Sequence, residues 1–568
     1  MERPRNLPSK YRYTPYALSA LLWALASPSY PFVRLEFLAW VWMVPMLLAL
    51  RSVESLTGVL WRVYLTLLFS FAFIMSWVAV ASPTGFVIAT VISAAVFTVP
   101  FLGLHFVRRS FGWRAALLSL PVLWTAWEWL FHRTELSFGA IEMGQSQANL
   151  YWLIQYVDIT GVWGIAFWLA LFNVLVVLAI EKWRAEIAHS GGNARASLVV
   201  LARKVAIVFA LMLLPPLAYS SYIFIKESRA DVSGREVSVL LVQTNSNPWT
   251  LMNSNEADFK VGRAIALTEK ALTQSHPDLI IWPEGTVSQF WSLDKETRQV
   301  IRRNVSRWQT PLLTGMIDAR EATERGSAAP DQSSEAQPRY QYFNGAVMLS
   351  PKLTEGAAGR YGVEESEPYY RRVLMPFVER VPYPDHFPFS LIHTLKMYEY
   401  PDLTPGDRAT VFTFQDRSGQ QVTTATALCY EQLYPAETAE LVRNGAQALS
   451  FLTNQSWFSK THGPYQLAAL SRIRSIETRR AALRAANSGV TWVVDAYGRI
   501  QMEVPWWSEQ TLAAKVKLSD EQTIYVRYTD YLPKGCLYLS LALLFAAAWK
   551  RVRSALRTPK TVVGELKV

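Results

Sequence analysis

One short run of residues places a thiol next to a carboxylate. The apolar, β-type residues 422–428 are followed directly by Cys429, Tyr430 and Glu431. A cysteine near a carboxylate that acts as a base is the minimum equipment for covalent acyl transfer. Most free cysteines are instead small buried hydrophobes that close a strand. This run alone therefore favours a packing role, and the rest of the chain reverses that preference.

A second carboxylate is predicted to lie at the same sheet edge. Residues 277–284 have the pattern of a strand that ends on Glu284. Because open α/β folds place their ligands at the carboxyl ends of strands, Glu284 and Cys429 are expected to converge. The other cysteine, Cys536, lies in a hydrophobic C-terminal segment, so a disulfide is not expected. The sequence shows neither a metal-ligand cluster nor a phosphate-binding glycine loop, and we expect no metal and no cofactor.

The elements that must position this pair form a layered α/β region. From Arg235 onward, short apolar strands alternate with amphipathic helices. The predicted strands cover residues 236–245, 277–284, 312–316, 344–350, 409–415, 422–428, 446–454, 489–495 and 512–516. The predicted helices cover residues 257–273, 295–308 and 464–486. Residues 320–339, rich in Ala, Glu, Ser, Gln and Pro, are predicted to be a mobile surface insertion.

The helix predicted over residues 464–486 has an apolar stripe, and arginines lie on its other faces. Most of these arginines are predicted to be solvated, with one or two reaching a phosphate or a carboxylate. They are Arg472, Arg474, Arg479, Arg480 and Arg484.

Apolar residues, 51% of the 568-residue chain, are concentrated at its two ends. A helix needs about 20 such residues to cross a bilayer. Runs near that length cover residues 16–32, 37–50, 56–81, 85–107, 115–131, 151–180, 205–225 and 532–549. The sequence therefore predicts a polytopic membrane part with about eight spans. Glu128 is a carboxylate inside the fifth run, where a functional role is the default and a helix-pinning hydrogen bond is the alternative.

The distribution of positive charge predicts the orientation of these spans. Basic residues alternate between short loops, which places both termini in the cytoplasm. The first run follows four basic residues but no cleavage site stands out, so it is predicted to be an uncleaved helix. Residues 1–225 then form a bundle of about seven helices, 226–530 an outer-face domain, and 531–568 a last span with a basic tail. Topology and anionic lipid head groups account for the net charge of +11 without nucleic acid.

Several motifs resemble those of one superfamily when they are taken in order. Residues 277–285 (PDLIIWPEG), 371–379 (RRVLMPFVE), 427–431 (ALCYE) and 452–458 (LTNQSWF), followed by an arginine-rich stretch, resemble the nitrilase superfamily. With eight spans around an outer domain, the chain is similar to the membrane-embedded branch, the apolipoprotein N-acyltransferases. The resemblance covers nearly the whole chain and implies an αββα sandwich for the outer domain.

The resemblance also implies roles for individual residues. The family uses a Glu-Lys-Cys triad, which places the general base at Glu284 and the nucleophile at Cys429. Glu379 matches a carboxylate that supports the base, and Tyr430 and Glu431 match the pair after the cysteine. The family's lysine is Arg371 here, and its following glycine is Val378. Arginine donates hydrogen bonds to an oxyanion but effectively never deprotonates.

The reaction implied by the resemblance joins two lipid substrates. A membrane phospholipid gives an acyl chain to Cys429, and the N-terminal amine of a diacylglyceryl-cysteine apolipoprotein receives it, in a bacterial inner membrane with the site on the periplasmic face. Two alternatives stay open at this point. One is a catalytically silent relative that binds lipoproteins or a transfer apparatus, which the arginine at the lysine position supports. The other is a membrane-anchored amidase, against which the number of spans argues.

Overall fold

Two kinds of structure divide the chain. The computed structural model describes residues 12–27, 34–190, 194–229, 234–247, 254–322, 340–353, 361–386 and 402–557. Apolar helices occupy the first part of the chain and the end of the described residues, and two β-sheets with their helices lie between them. This order confirms the predicted fold class of a helical membrane part joined to an α/β sandwich. Most of the predicted insertion at residues 320–339 lies outside the described residues.

The helices of the described chain are numbered in order. The first ten are α1 (Thr14–Ala26), α2 (Met43–Leu50), α3 (Leu56–Ile74), α4 (Val78–Ala81), α5 (Pro83–Val96), α6 (Val99–Phe111), α7 (Trp113–His132), α8 (Val157–Thr160), α9 (Val162–Ser190) and α10 (Ala194–Arg229). They are followed by α11 (Ser254–Leu272), α12 (Lys295–Trp308), α13 (Pro435–Arg443), α14 (Gly463–Thr478), α15 (Ile524–Tyr528) and α16 (Tyr531–Arg557).

Five stretches of helix among the described residues are long and apolar enough to cross a membrane. They are Leu56–Ile74, Pro83–Phe111, Val162–Ile187, Val199–Arg229 and Tyr531–Leu556. Each coincides with one of the eight predicted runs. The other three runs form α1 and α2, which are shorter, and α7. The chain is therefore a membrane protein, while the count of eight spans stays a prediction.

Buried carboxylates join the membrane helices to their surroundings. Glu128 on α7 is fully buried, and its Oε1 accepts a hydrogen bond from the backbone N–H of Met143, 2.7 Å away. This is the pinning bond considered as the alternative for Glu128. Asp530, just before α16, accepts hydrogen bonds from the indole of Trp129 on α7 at 2.9 Å and that of Trp163 on α9 at 2.8 Å. Asp530 thus links three helices through one side chain.

The strands form two sheets. The first has the order β14 (Gln510–Lys517), β1 (Glu236–Gln243), β2 (Leu279–Ile281), β4 (Leu312–Glu321), β5 (Tyr340–Leu353) and β6 (Tyr361–Glu365), with β3 (Val287–Phe290) beside β4 and β7 (Tyr369–Tyr370) beside β5. The second has the order β13 (Ile500–Val504), β12 (Thr491–Val494), β11 (Ala481–Ala486), β10 (Ala448–Thr453), β9 (Gln421–Leu428) and β8 (Val411–Gln415). The central pairs β1–β2, β2–β4, β9–β10 and β10–β11 are parallel.

Alternating side chains on the strands create four layers. On β1, Val239 and Leu241 belong to a core shared with the second sheet and the membrane helices, whereas Leu240 and Val242 pack in the cluster that includes residues of α11 and α12. This period of two is what a strand with both faces covered requires. Helices α13 and α14 pack against β9 and β11 on the far side of the second sheet. The layers are therefore helix, sheet, sheet and helix.

The prediction for residues 464–486 was wrong in two respects. Helix α14 ends at Thr478, where Arg479 takes a left-handed φ of 50°, and residues 481–486 form the central strand β11. The five arginines are buried, with at most 6% of each residue exposed. These arginines are buried because α14 packs against the short helix α8 as well as against the second sheet. Arg474 pairs there with Glu477, and Arg479 with Asp158.

Candidate active site

Three neighbouring strand ends carry the candidate site. Glu284 follows β2, Cys429 follows β9 directly, and Thr453 is the last residue of β10. The Thr453 hydroxyl lies 3.5 Å from Cys429 Sγ, and the Glu284 carboxylate lies near enough to the thiol for each group to shift the pKa of the other. The structure thus brings together the two residues that were expected to converge. The expectation of a single sheet edge was wrong, because β2 belongs to the first sheet and β9 to the second. Their catalytic roles stay predictions.

The backbone at Cys429 is in an unusual conformation. Its φ is 47°, in the left-handed region that non-glycine residues rarely adopt. The residue begins a 3₁₀ turn, Cys429–Leu433, and the side-chain amide of Gln432 donates a hydrogen bond to the Cys429 carbonyl. Strained residues of this kind are concentrated at functional sites. The turn leaves the thiol half-buried at the end of its strand.

Glu284 is held by donors on both of its oxygens. Its Oε1 accepts from the Asn344 side chain at 2.8 Å and lies 3.6 Å from Arg371 Nη1, and its Oε2 accepts from the backbone N–H of Asn454 at 2.8 Å. Only 8% of the residue is exposed. Sequence reasoning missed Asn344, although an amide within the otherwise apolar start of a predicted strand was a signal for it. The carboxylate is therefore fixed in position beside the thiol.

Arg371 is fixed between two carboxylates. Its Nη1 lies 2.6 Å from Glu379 Oε1, and its Nε donates to the carbonyl of Val373 at 2.9 Å. Glu379 also accepts from the backbone N–H of Met375 at 2.8 Å, which folds the segment around the guanidinium. Burial lowers the pKa of Arg371, but Glu379 and Glu284 raise it further, so it lies above its ordinary value. Arg371 is a permanent cation here, and its Nη2 makes no hydrogen bond to a described residue.

Glu431 connects residues 371–379, the arginine segment, to the 3₁₀ turn Cys429–Leu433, the cysteine turn. It is fully buried, and its Oε1 accepts from the backbone N–H groups of Arg372 at 2.8 Å and Val373 at 3.3 Å. Its Oε2 accepts from the N–H of Leu428 at 3.1 Å. Glu431 therefore sets the distance between Arg371 and Cys429 without contacting either side chain.

Tyr430 ties the same turn to the membrane part. Its hydroxyl donates to the carbonyl of Ser137 at 2.8 Å and accepts from the N–H of Gly139 at 3.0 Å. Both partners lie in the loop after α7. Its ring also lies 6.0 Å from the Arg371 guanidinium carbon. Tyr430 thus connects the cysteine turn to the loop after α7.

The thiol and its neighbouring carboxylate both have raised pKa values. Burial raises the pKa of Cys429 to about 12, and the negative charge of Glu284 adds to the effect while Arg371 opposes it. Burial also raises the pKa of Glu284 above its ordinary 4.5, against the opposing charge of Arg371. At neutral pH the thiol is therefore protonated, and the prediction that the adjacent carboxylate accepts its proton requires Glu284 to be ionised.

This arrangement predicts an acid limb in the pH dependence of acyl-enzyme formation. The base form of Glu284 exists above its raised pKa and is lost as the pH falls through it. We expect the single-turnover rate to fall about tenfold per pH unit below a midpoint that lies above 4.5. A rate series between about pH 4 and pH 8 measures this midpoint. The Glu284→Gln variant should be slow and lack the limb, and a midpoint at or below 4.5 contradicts the assignment.

An apolar groove opens beside the arginine segment. One wall is formed by α5 residues that include Gly85, Ala89 and Ile92, and the other by residues 375–378. Phe138, from the loop that supports Tyr430, lines the same groove. The groove therefore runs from a membrane helix to the segment that carries Arg371.

Two family models match the chain. The model described as carbon-nitrogen hydrolase matches residues 239–525, and the model described as apolipoprotein N-acyltransferase N-terminal domain matches residues 19–175. The first match and the observed sandwich agree with the nitrilase-like fold that the motifs implied.

Curated relatives match nearly the full length. The apolipoprotein N-acyltransferase of Chlorobaculum tepidum is 34% identical over 539 residues, covering 94% of this chain and 96% of the relative. That of Geobacter metallireducens is 27% identical over 549 residues, covering 94% and 95%. The solved structure of Saccharomyces cerevisiae Nit3, of the nitrilase superfamily, covers 53% of this chain and 96% of its own at 16% identity, with a TM-score of 0.34 that is too low to carry an argument.

Proposed function

The chain belongs to the apolipoprotein N-acyltransferase family, and on that premise we propose that Cys429 is its acyl carrier. The family consists of carbon–nitrogen hydrolase-type enzymes that acylate lipoproteins through a covalent acyl-cysteine intermediate. The observation that carries the assignment is the meeting of a thiol, a buried carboxylate and a fixed guanidinium where strand ends of the two sheets come together. Nothing in this arrangement favours a silent relative.

The first half-reaction loads the cysteine. Glu284 accepts the proton of Cys429 as Sγ attacks the ester carbonyl carbon of a phospholipid, and the carbonyl oxygen becomes an oxyanion. Arg371 stabilises that oxyanion with its charge and its N–H donors. When the intermediate collapses, the glycerol oxygen leaves and takes the proton from Glu284. The products are a lysophospholipid and a thioester on Cys429.

The second half-reaction transfers the chain to an amine. The neutral N-terminal amine of a diacylglyceryl-cysteine apolipoprotein attacks the thioester carbon, and the same guanidinium holds the oxyanion. Glu284 accepts a proton from the attacking nitrogen and returns it to the departing sulfur. An amide forms, and the free thiol of Cys429 is restored.

The position of the site supports lipid substrates for both halves. The apolar groove between α5 and residues 375–378 has the character needed for an acyl chain, because it is lined by aliphatic and aromatic side chains. Its α5 wall belongs to a helix that is apolar enough to lie in a bilayer. We infer that an acyl chain reaches Arg371 and Cys429 laterally from the membrane through this groove.

The distribution of basic residues supports an orientation. We propose that the protein lies in a bacterial inner membrane with the α/β region on the periplasmic face, since the described end of α16 is basic and basic loops alternate along the chain. Protease added from the periplasmic side to spheroplasts should cut within residues 320–339. Cleavage only after the cytoplasmic face is opened would overturn this orientation.

Transfer is tested with purified protein in mixed micelles. An alkyne-tagged phospholipid and a diacylglyceryl peptide should together give a peptide heavier by one acyl chain, as read by mass spectrometry. The phospholipid alone should give only the acyl-enzyme. A parent protein that forms neither product with any phospholipid would contradict the proposed function.

A further inference from the structure

Arg484 is a buried cation in contact with the cysteine turn, Cys429–Leu433, and it forms no salt bridge with a described carboxylate. It lies on β11 and is fully buried. Its Nε donates to Gln432 Oε1 at 3.2 Å, and its Nη1 donates to the carbonyl of Val490. Its Nη2 has no hydrogen bond within the described part of the chain. A guanidinium buried without a counter-ion is costly, which calls for a reason for its charge.

The amide of Gln432 connects this cation to the nucleophile. Its oxygen accepts from Arg484, and its nitrogen donates to the carbonyl of Cys429. Because the guanidinium only donates, it fixes which end of the amide faces the cysteine. Cys429 is the residue with the left-handed φ of 47°. The hydrogen bond from Gln432 therefore acts on the strained residue itself.

The charge of Arg484 also acts on the site through space. Burial lowers its pKa to about 10, and negative charge on Cys429, Glu503 and Glu284 acts in the opposite direction. Such coupling is mutual, so the cation favours negative charge at the cysteine by the same interaction. Arg371 differs, because two carboxylates already compensate its charge.

We propose that Arg484 and Gln432 form a positioning pair that holds Cys429 in its left-handed conformation and places near its thiolate a positive charge that no described salt bridge neutralises. The inference rests on the proposed role of Cys429 as the nucleophile. Arg484 acts through Gln432 and through its field, whereas Arg371 is placed to touch the substrate oxyanion. The site then has two cations with separate tasks.

The test measures thiol reactivity and needs no lipid. All variants carry Cys536→Ala, so that iodoacetamide reports on Cys429 in the full chain in detergent. At a pH below the pKa of the thiol, the alkylation rate follows the thiolate fraction. A change of one unit in the pKa of Cys429 therefore changes the rate about tenfold. We expect Arg484→Gln to slow alkylation at fixed pH by about tenfold or more and Gln432→Met by less.

Arg480→Gln is the matched control. Arg480 is also buried, lies next to the start of the same strand, and donates to the carbonyls of Ala446 and Glu521, away from Cys429. This variant should leave the alkylation profile unchanged. If it slows alkylation as much as Arg484→Gln does, the effect is general loosening and the proposal is wrong.

Two further results keep the proposal open to refutation. If Arg484→Gln does not fold, Gln432→Met tests the proposal, because it removes both hydrogen bonds of the Gln432 side-chain amide at nearly constant volume. An unchanged alkylation profile in Gln432→Met overturns the positioning pair. In acyl transfer, Arg484→Gln and Gln432→Met should each lower kcat and leave KM for the phospholipid unchanged. A parent chain that alkylates normally but transfers no acyl group contradicts the proposed function alone, since iodoacetamide requires only the thiol.

Discussion

Cys429→Ala is expected to eliminate the acyl-enzyme. The variant lacks the one cysteine of residues 226–530, and we expect no other described side chain at these strand ends to replace it as the nucleophile. Removal of a nucleophile from a catalytic unit lowers turnover on the order of 10⁴- to 10⁶-fold. Incubation with an alkyne-tagged phospholipid followed by intact-protein mass spectrometry should show the acyl adduct in the parent and none in the variant.

The matched control for this experiment is Cys536→Ala. Cys536 is a free, buried cysteine on α16, and its loss should leave labelling intact. Alanine keeps a Cβ at the left-handed residue 429, so the backbone cost of that conformation is unchanged and the fold should persist. Labelling that survives in Cys429→Ala and disappears in Cys536→Ala would overturn the assignment.

Arg371→Ala is expected to slow acyl-enzyme formation by about 10² to 10³, the usual loss of about 3 to 4 kcal/mol for one oxyanion donor. The variant also leaves Glu284 and Glu379 without their shared cation. The pKa of Glu284 should then rise further, because the charge of Arg371 now lowers it. The acid limb of the single-turnover profile should therefore move to higher pH together with the loss of rate.

Arg371→Lys separates the two contributions of this residue. Lysine keeps the positive charge, presents its N–H donors on a single nitrogen and restores the family's residue. Acyl transfer should therefore be kept or increased. Lysine has no counterpart of the Nε bond to the Val373 carbonyl, which tests whether that bond matters. If Arg371→Ala reacts as fast as the parent, the oxyanion role is excluded. If neither the parent nor Arg371→Lys forms an acyl-enzyme, the silent-relative alternative becomes the better one.

The parts of the site predicted from sequence are those that follow strand ends. Glu284 and Cys429 each end an apolar, β-type run, and the carboxyl ends of the parallel strands in the two sheets come together in the fold. Glu379, Tyr430 and Glu431 were predicted by motif alone. Asn344 and Gln432 were missed because their contacts depend on which strands become neighbours, and a local pattern does not encode that.

The arginine-rich stretch shows why the rest could not be predicted. Residues 481–486 read Ala-Ala-Leu-Arg-Ala-Ala, a composition that favours a helix by intrinsic propensity. In the fold this stretch is paired with β10 on one side and β12 on the other, and that pairing overrides the propensity. The same central position buries Arg484 beside the cysteine turn. Local composition thus predicted a helix where the fold has a buried strand that carries Arg484.

The carboxylate of Asp530 bears on how the protein is synthesised. It joins the indoles of Trp129 and Trp163, which leave the ribosome 401 and 367 residues earlier. Helices α7 and α9 are therefore synthesised before their shared acceptor has been translated. The loop after α7 also holds Tyr430 through the backbone of Ser137 and Gly139, and all of these residues precede Asp530 in the chain. The contacts through which Asp530 joins α7, α9 and α16 can therefore form only at the end of translation.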